Sequence, residues 1–291
     1  MKSIIYILLS IFIASILFSA IPKSQARSFQ VITIESVEKN PDSCLIYESA
    51  SIIKSRLKDY GLEKFEIKLN TVKNEIYILL DKNVKASEFF PLIFTQGKIG
   101  FYETYDRNDV IKKIEPGDSL LQLMEIDMIS TITSDSSPII GNCQKQNIGQ
   151  VNQYIANHYM SAPGEGIHFV WGYYPNSNGA YNLYMLKQYP VLNKEHIQMV
   201  RLMEQGYERN NELILTFNAN ASVEWNNITK SNIGKSIAMV IDHNVFYAPK
   251  VMSEINEGKC LISGNFAKQE INFITSIINN KILPLEFRLV N

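Results

Sequence analysis

From Phe29 to Tyr105 the spacing of apolar residues changes period several times, and the order of those changes restricts the fold more than any other feature of the chain. FQVITIES alternates apolar and polar residues as a strand does. Cys44 to Tyr60 repeats at helical spacing and is followed by Gly61, which suits the left-handed residue that ends a helix. FEIKLN and EIYILLD then read as two strands around a polar turn. A second apolar stretch, Ala86 to Phe94, is interrupted by Pro91 and ends near Gly97, and KIGFYETY follows as a strand.

The resulting order, β-α-β-β-α-β over residues 29 to 105, predicts an α+β fold of the split βαβ, or ferredoxin-like, kind. The last third repeats the alternation. ELILTFN reads as a strand, Asn220 to Asn232 as a helix, Ser236 to Met252 as two strands, about Ala267 to Asn279 as a helix and LEFRLV as a strand. In the first of those helices Ala221, Trp225 and Ile228 share one face. Between the two patterns, IHFVWG and AYNLYMLK flank the turn formers of YYPNSNG and predict a long-looped hairpin. Its aromatics Phe169, Trp171, Tyr173, Tyr174, Tyr181 and Tyr184 either fill a core or make a binding platform, and packing across the hairpin is the commoner outcome. Residues 106 to 165 signal weakly, with short helices predicted near Ser119 to Met128 and Gly149 to Tyr159 around the polar TSDSSP.

A chain of 291 residues with 46% hydrophobic and 20% charged residues is ordinary globular protein, so disorder is excluded as the default. Residues 1 to 26 carry Lys2, an apolar run from Ile4 to Ile21, and small residues at Ser24 and Ala26, which predicts an export signal cut after Ala26. The alternative is an uncleaved N-terminal anchor, because the run reaches the lower end of the roughly 17 to 25 residues that span a bilayer. No cysteine follows the run, so a lipid anchor is not indicated. The expected location is the periplasm or the outer face of the cytoplasmic membrane. Loss of Lys2 and Lys23 with the signal moves the formal net charge from −1 to −3, which argues against nucleic acid as a partner. Cys44, Cys143 and Cys260 allow one bridge plus a free thiol, or three separate buried thiols.

The chemical motifs do not assemble. Gly234-Lys235-Ser236 ends like a phosphate loop, but Thr229 stands where the first glycine is required, and the triplet leaves a helix to enter a strand instead of the reverse. No nucleotide is expected, and Gly234 reads as the left-handed residue past a helix. His158, His168, His196 and His243 have no metal-ligand spacing. There is no G-x-S-x-G elbow and no carboxylate pair that the sequence singles out. The expectation is a non-enzymatic protein with no catalytic residue, no cofactor and no metal. Asp242-His243-Asn244 reads as a hairpin turn.

The run N-I-G-K-S-I-A-M-V-I-D-H-N-V-F-Y-A-P-K-V, followed by I-S-G-N-F at 262 to 266 and L-P at 283 to 284, resembles the first large periplasmic domain of the SecD and fused SecDF protein-export membrane proteins. Arg56-Leu57 through Gly61 and the run Gly97 to Tyr105 look like the N-terminal half of the same domain. The resemblance implies a ferredoxin-like base with an inserted α+β head, divided here as 27–105 for the N-terminal part of the base, 106–281 for the head and 282–291 for a strand returning to the base. It departs at Asp242-His243, where the family has Asp-Gly, at Ala267, where it has a capping Thr, and at Lys281, where it has Gly. A His with positive φ is strained, and losing the Thr cap costs about 0.5 to 2 kcal/mol unless Asn265 caps instead. SecD continues into membrane helices, whereas this sequence stops at Asn291, so coupling to the proton gradient is not expected of it alone.

By that resemblance the chain assists translocation through the Sec machinery by contacting unfolded or emerging polypeptide, with Sec translocon subunits as further partners. The polypeptide-binding candidates are His243, Asn244, Phe246, Tyr247 and Pro249, with plain hairpin packing the competing reading for Phe246 and Tyr247. An exposed sheet edge is another route to a bound peptide. The alternative function is an envelope interaction or scaffold protein that keeps the fold without export.

Overall fold

The structure is a computed structural model, and it describes residues 29–111, 118–124, 137–159, 167–204, 211–264 and 266–290. The signal or anchor segment, TSDS of the polar loop, the end of the helix predicted near Met128 and Asn265 lie outside them. The chain divides into unit 1, up to Gln96 together with Leu283 onward, and unit 2, Gly97–Ile282.

Unit 1 begins with β1 (Phe29–Ser36), whose alternate residues Ile32 and Ile34 are buried. Helix α1 (Ser43–Asp59) starts where Asp42 accepts a hydrogen bond from the Cys44 amide at 2.9 Å. It ends at Gly61, which takes φ 105°. The Gly61 and Leu62 amides donate back to the Lys58 and Leu57 carbonyls, each at 2.9 Å, the paired bonds of a Schellman motif. Strands β2 (Phe65–Asn70) and β3 (Glu75–Asp81) form a hairpin. The stretch broken by Pro91 becomes a 3₁₀ turn, Ala86–Phe89, and then α2 (Phe90–Phe94), with the proline in the first helical turn, where its missing N–H costs nothing.

The sixth element of this unit is β14 (Phe287–Leu289), at the far end of the chain. The sheet order is β14-β1-β3-β2, all antiparallel. Thus β-α-β-β-α-β is present, but the expectation that KIGFYETY supplies its last strand does not hold. That strand, β4 (Ile99–Glu103), pairs inside unit 2. Periodicity identified it as a strand and carried no information about its partner.

Arg56 lies on α1 and is 0% exposed. Its guanidinium donates to the carbonyls of Leu92 (3.2 Å), Thr95 and Gln96 (2.7 Å), so it takes up carbonyls at and just past the α2 C-terminus. The Gln96 carbonyl also accepts from the Leu283 amide at 2.8 Å. One oxygen therefore joins the point where the chain leaves unit 1 to the point where it returns.

Unit 2 is built on two sheets. The seven-stranded sheet has the order β5-β7-β6-β12-β11-β4-β8, from β5 (Ile139–Cys143), β6 (Ile167–Gly172), β7 (Tyr181–Lys187), β8 (Leu192–Asn193), β11 (Ile237–Ile241) and β12 (Asn244–Tyr247) with β4. All pairs are antiparallel except β12 with β6. Strand β11 is buried at every residue, which is why SIAMVI reads as continuous apolar sequence without alternation. The three-stranded sheet is β13-β10-β9, from β9 (Ile197–Glu204), β10 (Asn211–Phe217) and β13 (Lys259–Ile262).

Among the remaining helices, α3 (Arg107–Ile111), α4 (Ser119–Leu123) and α5 (Ile148–His158) contribute Val110, Leu120, Val151 and Ile155 to a core with Ile140, Leu183 and Met185. Helix α6 (Ala219–Ser231) is capped by Asn218, which accepts from the Ala221 amide at 3.0 Å, and buries Ala221, Trp225 and Thr229, so Thr229 takes the place expected for Ile228. Helix α7 (Lys268–Asn279) has Ala267 before it, and the Glu270 carboxylate accepts from the Ala267 amide at 2.8 Å, supplying the half of a capping box that needs no side chain at that position. Cys143 and Cys260 are buried as one reading had them, but Cys44 is exposed.

Candidate functional site

The five candidate residues lie along one hairpin but do not make one surface. The turn between β11 and β12 is Asp242-His243, with Ile241 opposite Asn244. Asp242 carries the left-handed backbone, φ 53°, while His243 stays outside the positive-φ region, so the strain anticipated for a histidine there is absent. Asp242 Oδ1 accepts from the Gly97 and Lys98 amides at 2.9 and 2.8 Å, and its own amide donates to the Lys98 carbonyl at 2.8 Å. The residue the sequence treats as a mere turn former thus ties the hairpin tip to the start of β4.

His243 is exposed at that tip. Burial first, and then the charge of His243, lower the His168 pKa below the usual imidazole value. Asn244 is half-buried, and its Nδ2 donates to the Trp171 carbonyl at 3.4 Å. Phe246 is buried, with ring centroids of Tyr173, Tyr174 and Phe266 between 5.9 and 6.1 Å away. Tyr247 points its hydroxyl at the Ser263 carbonyl, 2.6 Å, and its ring against Phe266 at 5.6 Å. Hairpin packing therefore accounts for Phe246. The other aromatics follow suit: Phe169 and Trp171 pack against the α3–α5 core, and Tyr184 packs against Val170, Leu186 and Val240.

Tyr247 and Pro249 do more, because both line an apolar recess of about 290 Å³. Its floor includes Trp225 and Met239, and its rim carries Met252, which is 81% exposed. Trp225 sits with its ring centroid 5.5 Å from Phe101 and 5.0 Å from Phe217, and its indole N–H is buried without an acceptor among the described residues. The rim loop is fixed to α6 by the Ile255 amide, which donates to Thr229 Oγ1 at 3.0 Å, while that hydroxyl donates to the Trp225 carbonyl at 2.8 Å. Thr229, the residue that spoils the phosphate-loop motif, is a latch on this loop. Cys260 also lines the recess, and burial pushes its thiol up to about 12, so it is held as an inert thiol.

Gly234 has φ 84° just past α6, and its amide donates to the Val251 carbonyl at 2.8 Å, so Gly234-Lys235-Ser236 closes a helix and leads into β11. Nearby, a polar cleft of about 700 Å³ is lined by Glu103, Asp106, Asp109, Lys187 and Lys235. Burial raises the Glu103 pKa, but hydrogen bonds from Lys187 (2.7 Å) and Asn232 (2.9 Å) with the charges of Lys187 and Lys235 bring it below the usual carboxylate value. Among the described residues no group of three or more His, Cys, Asp and Glu side chains is placed to hold a metal ion.

The sequence reading missed Trp225, Met252, Ile255 and Cys260 as recess residues. They come from α6, a loop and a strand of the other sheet, and no local pattern links them. The apolar Met252 directly after Pro249-Lys250-Val251 was the available signal.

Residues 172–285 match the family model of the SecDF P1 head subdomain. Protein translocase subunit SecD of Leptotrichia buccalis is 38% identical over 63 residues, 22% of this chain and 16% of its own length. SecD of Rickettsia conorii is 29% identical over 87 residues, 29% of this chain and 17% of its own length. The matched stretches thus span about a sixth of those relatives. A crystal structure of SecDF in a super-membrane-facing form aligns over 90% of this chain and 30% of its own at TM-score 0.53 and 16% identity. A structure of the membrane component SecDF that enhances protein export aligns over 90% of this chain and 98% of its own at TM-score 0.50 and 16% identity. At such identity the likeness concerns the fold. Among the described residues no helix is long and apolar enough to cross a membrane. The chain is similar to SecD and SecDF: residues 172–285 match the P1 head subdomain in sequence, and nine-tenths of the chain shares the fold of the SecDF periplasmic region.

Proposed function

We propose that this chain is a non-enzymatic SecD-like module in which unit 1 is a ferredoxin-like base and unit 2 an inserted head that contacts unfolded or emerging polypeptide outside the cytoplasmic membrane, beside the Sec machinery. The observation that carries the reading is the pairing of a head-subdomain match over 172–285 with an apolar recess that this segment lines together with Phe101, rimmed by Met252. A recess of about 290 Å³ holds one or two apolar side chains, and a mobile thioether at its rim adapts to side chains of different shape. The base is composed of residues 29–96 and 283–290, with the boundary placed before β4. The protein is exported and is either free after signal cleavage or held by its N-terminal segment.

The test is photocrosslinking from positions 252 and 243 in cells holding a stalled exported precursor. Labelled precursor or translocon subunits from position 252 are the expected products. Label confined to unrelated envelope proteins would exclude the export reading.

A further inference from the structure

Among the described residues unit 2 has four edge strands: β5 and β8 in the larger sheet, β9 and β13 in the smaller. An edge strand presents unpaired N–H and C=O groups in alternation, and a second extended backbone is the structure that satisfies such a row in register. Three of these edges are short, with five residues in β5, two in β8 and four in β13. Strand β9 has eight residues, pairs with β10 on one side and has no strand on the other among the described residues.

Edges are usually guarded by lysine, proline or a bulge. The sequence IQMVRLME has no lysine and no proline. The irregularity in its pairing falls between Thr216 and Phe217, opposite the start of β9, and leaves Met199 to Glu204 in regular register. Arg201, the strand's cation, lies along its own strand and donates Nε to Met199 Sδ at 2.9 Å.

Three apolar side chains along this edge are accessible, Met199 at 41%, Leu202 at 40% and Met203 at 39%, beside the exposed Gln198 and Arg201. They occupy both faces. Met199 and Met203 stand opposite Thr216 and Glu212, and Leu202 stands opposite the fully buried Leu213 on the other face. A strand laid beside β9 would meet apolar groups above and below the sheet, which favours a continuously apolar segment over one that alternates with charge.

We propose that the free edge of β9 takes up an extended, continuously apolar polypeptide segment of about seven or eight residues as an added strand. The proposal rests on the polypeptide-contacting reading and specifies its mode: backbone pairing selects an unfolded chain, since folded proteins have their backbones already paired. Adaptable methionines let the side chains of the segment vary.

The probe is a fluorescein-labelled eight-residue peptide of valine and leucine with two terminal lysines, offered to the purified full-length chain alongside the same peptide N-methylated at alternate residues. Hydrogen–deuterium exchange at 197–204 should slow at least tenfold with the first peptide, and the N-methylated form should bind at least tenfold more weakly. The double variant Met199→Lys, Met203→Lys should weaken binding at least tenfold with an unchanged thermal transition, and the N-methylation comparison on the unaltered chain stands even if that variant does not fold. Equal binding of both peptides, or protection at 249–255 with β9 unchanged, overturns the edge proposal and leaves the polypeptide reading intact. If neither the peptide nor a carboxymethylated unfolded precursor binds, the reading itself falls, and the proposal with it. Protection of β9 that rises with protein concentration in the absence of peptide assigns the edge to a second copy and also overturns it.

Discussion

In unit 1 the buried Arg56 meets three carbonyls and the sheet closes over Ile34, Ile76, Ile78 and Leu80. In unit 2, among the described residues, the buried Trp225 indole N–H meets no acceptor, Met252 stands 81% exposed beside an apolar recess, and the eight-residue β9 has a strand on one side only. Unit 1 uses one polar side chain to close its own chain, and unit 2 leaves apolar side chains accessible beside its recess and along β9.

The contrast can be broken most decisively at Arg56. Arg56→Met strands at least two buried carbonyls and should destabilise unit 1 by about 3 to 5 kcal/mol. Both tryptophans, Trp171 and Trp225, lie in unit 2, so Trp emission follows that unit alone. Urea titration should move the far-UV circular dichroism transition to lower urea while Trp emission holds its midpoint. A common shift would mean that the units unfold as one and the division is only geometric.

Next in size, Asp242→Ala removes an acceptor from two backbone amides and places alanine at φ 53°, for about 2 to 3 kcal/mol in the Trp-detected transition. Tyr247→Phe loses the bond to the Ser263 carbonyl and should cost about 1 kcal/mol while leaving the recess lined. An equal loss from Asp242→Ala and Tyr247→Phe would argue against the anchoring role given to Asp242.

Glu103 sharpens the comparison through pH. Its folded pKa is lowered, so the stability it adds is present above the ordinary carboxylate pKa of roughly 4.3 and is lost as pH falls through the folded value. Solvent screening keeps the effect below about 1 kcal/mol. Glu103→Gln should lower the Trp-detected midpoint at pH 7, and its difference from the unaltered chain should shrink as pH falls below roughly 4.3. The smallest effect belongs to His243→Ala, within about 0.5 kcal/mol, because the side chain is exposed and its backbone unstrained.

Local chemistry was legible from the sequence. Gly61 and Gly234 stand where helices end because positive φ is written in a single residue type, and the IHFVWG–AYNLYMLK hairpin formed from strands separated by a readable turn. Partnership was not legible. KIGFYETY was correctly a strand, yet it was assigned to the wrong sheet, since a period of two is the same whether a strand pairs with β1 or with β11. Strand β9 escaped notice altogether: IQMVRLME has exposed apolar residues on both faces and so lacks the alternation that a half-buried strand displays. The same property that hid it from the sequence makes its edge a candidate for binding. Of the five proposed contact residues, Tyr247 and Pro249 reach the recess, and its other walls assemble from segments that only the fold brings together.

The shared oxygen of Gln96 has a consequence for how the molecule is made. Its two donors, Arg56 and the Leu283 amide, come from opposite sides of the whole of unit 2. During synthesis all of unit 2 is made before β14, so until those last residues are added the unit 1 sheet lacks a strand beside β1. Because loop-closure entropy grows only with the logarithm of loop length, a unit 2 that folds first brings Gln96 and Leu283 near each other at little extra cost. Newly made chains should therefore complete the unit 1 sheet last, and a released chain truncated just before Leu283 would carry a folded unit 2 on a sheet open beside β1.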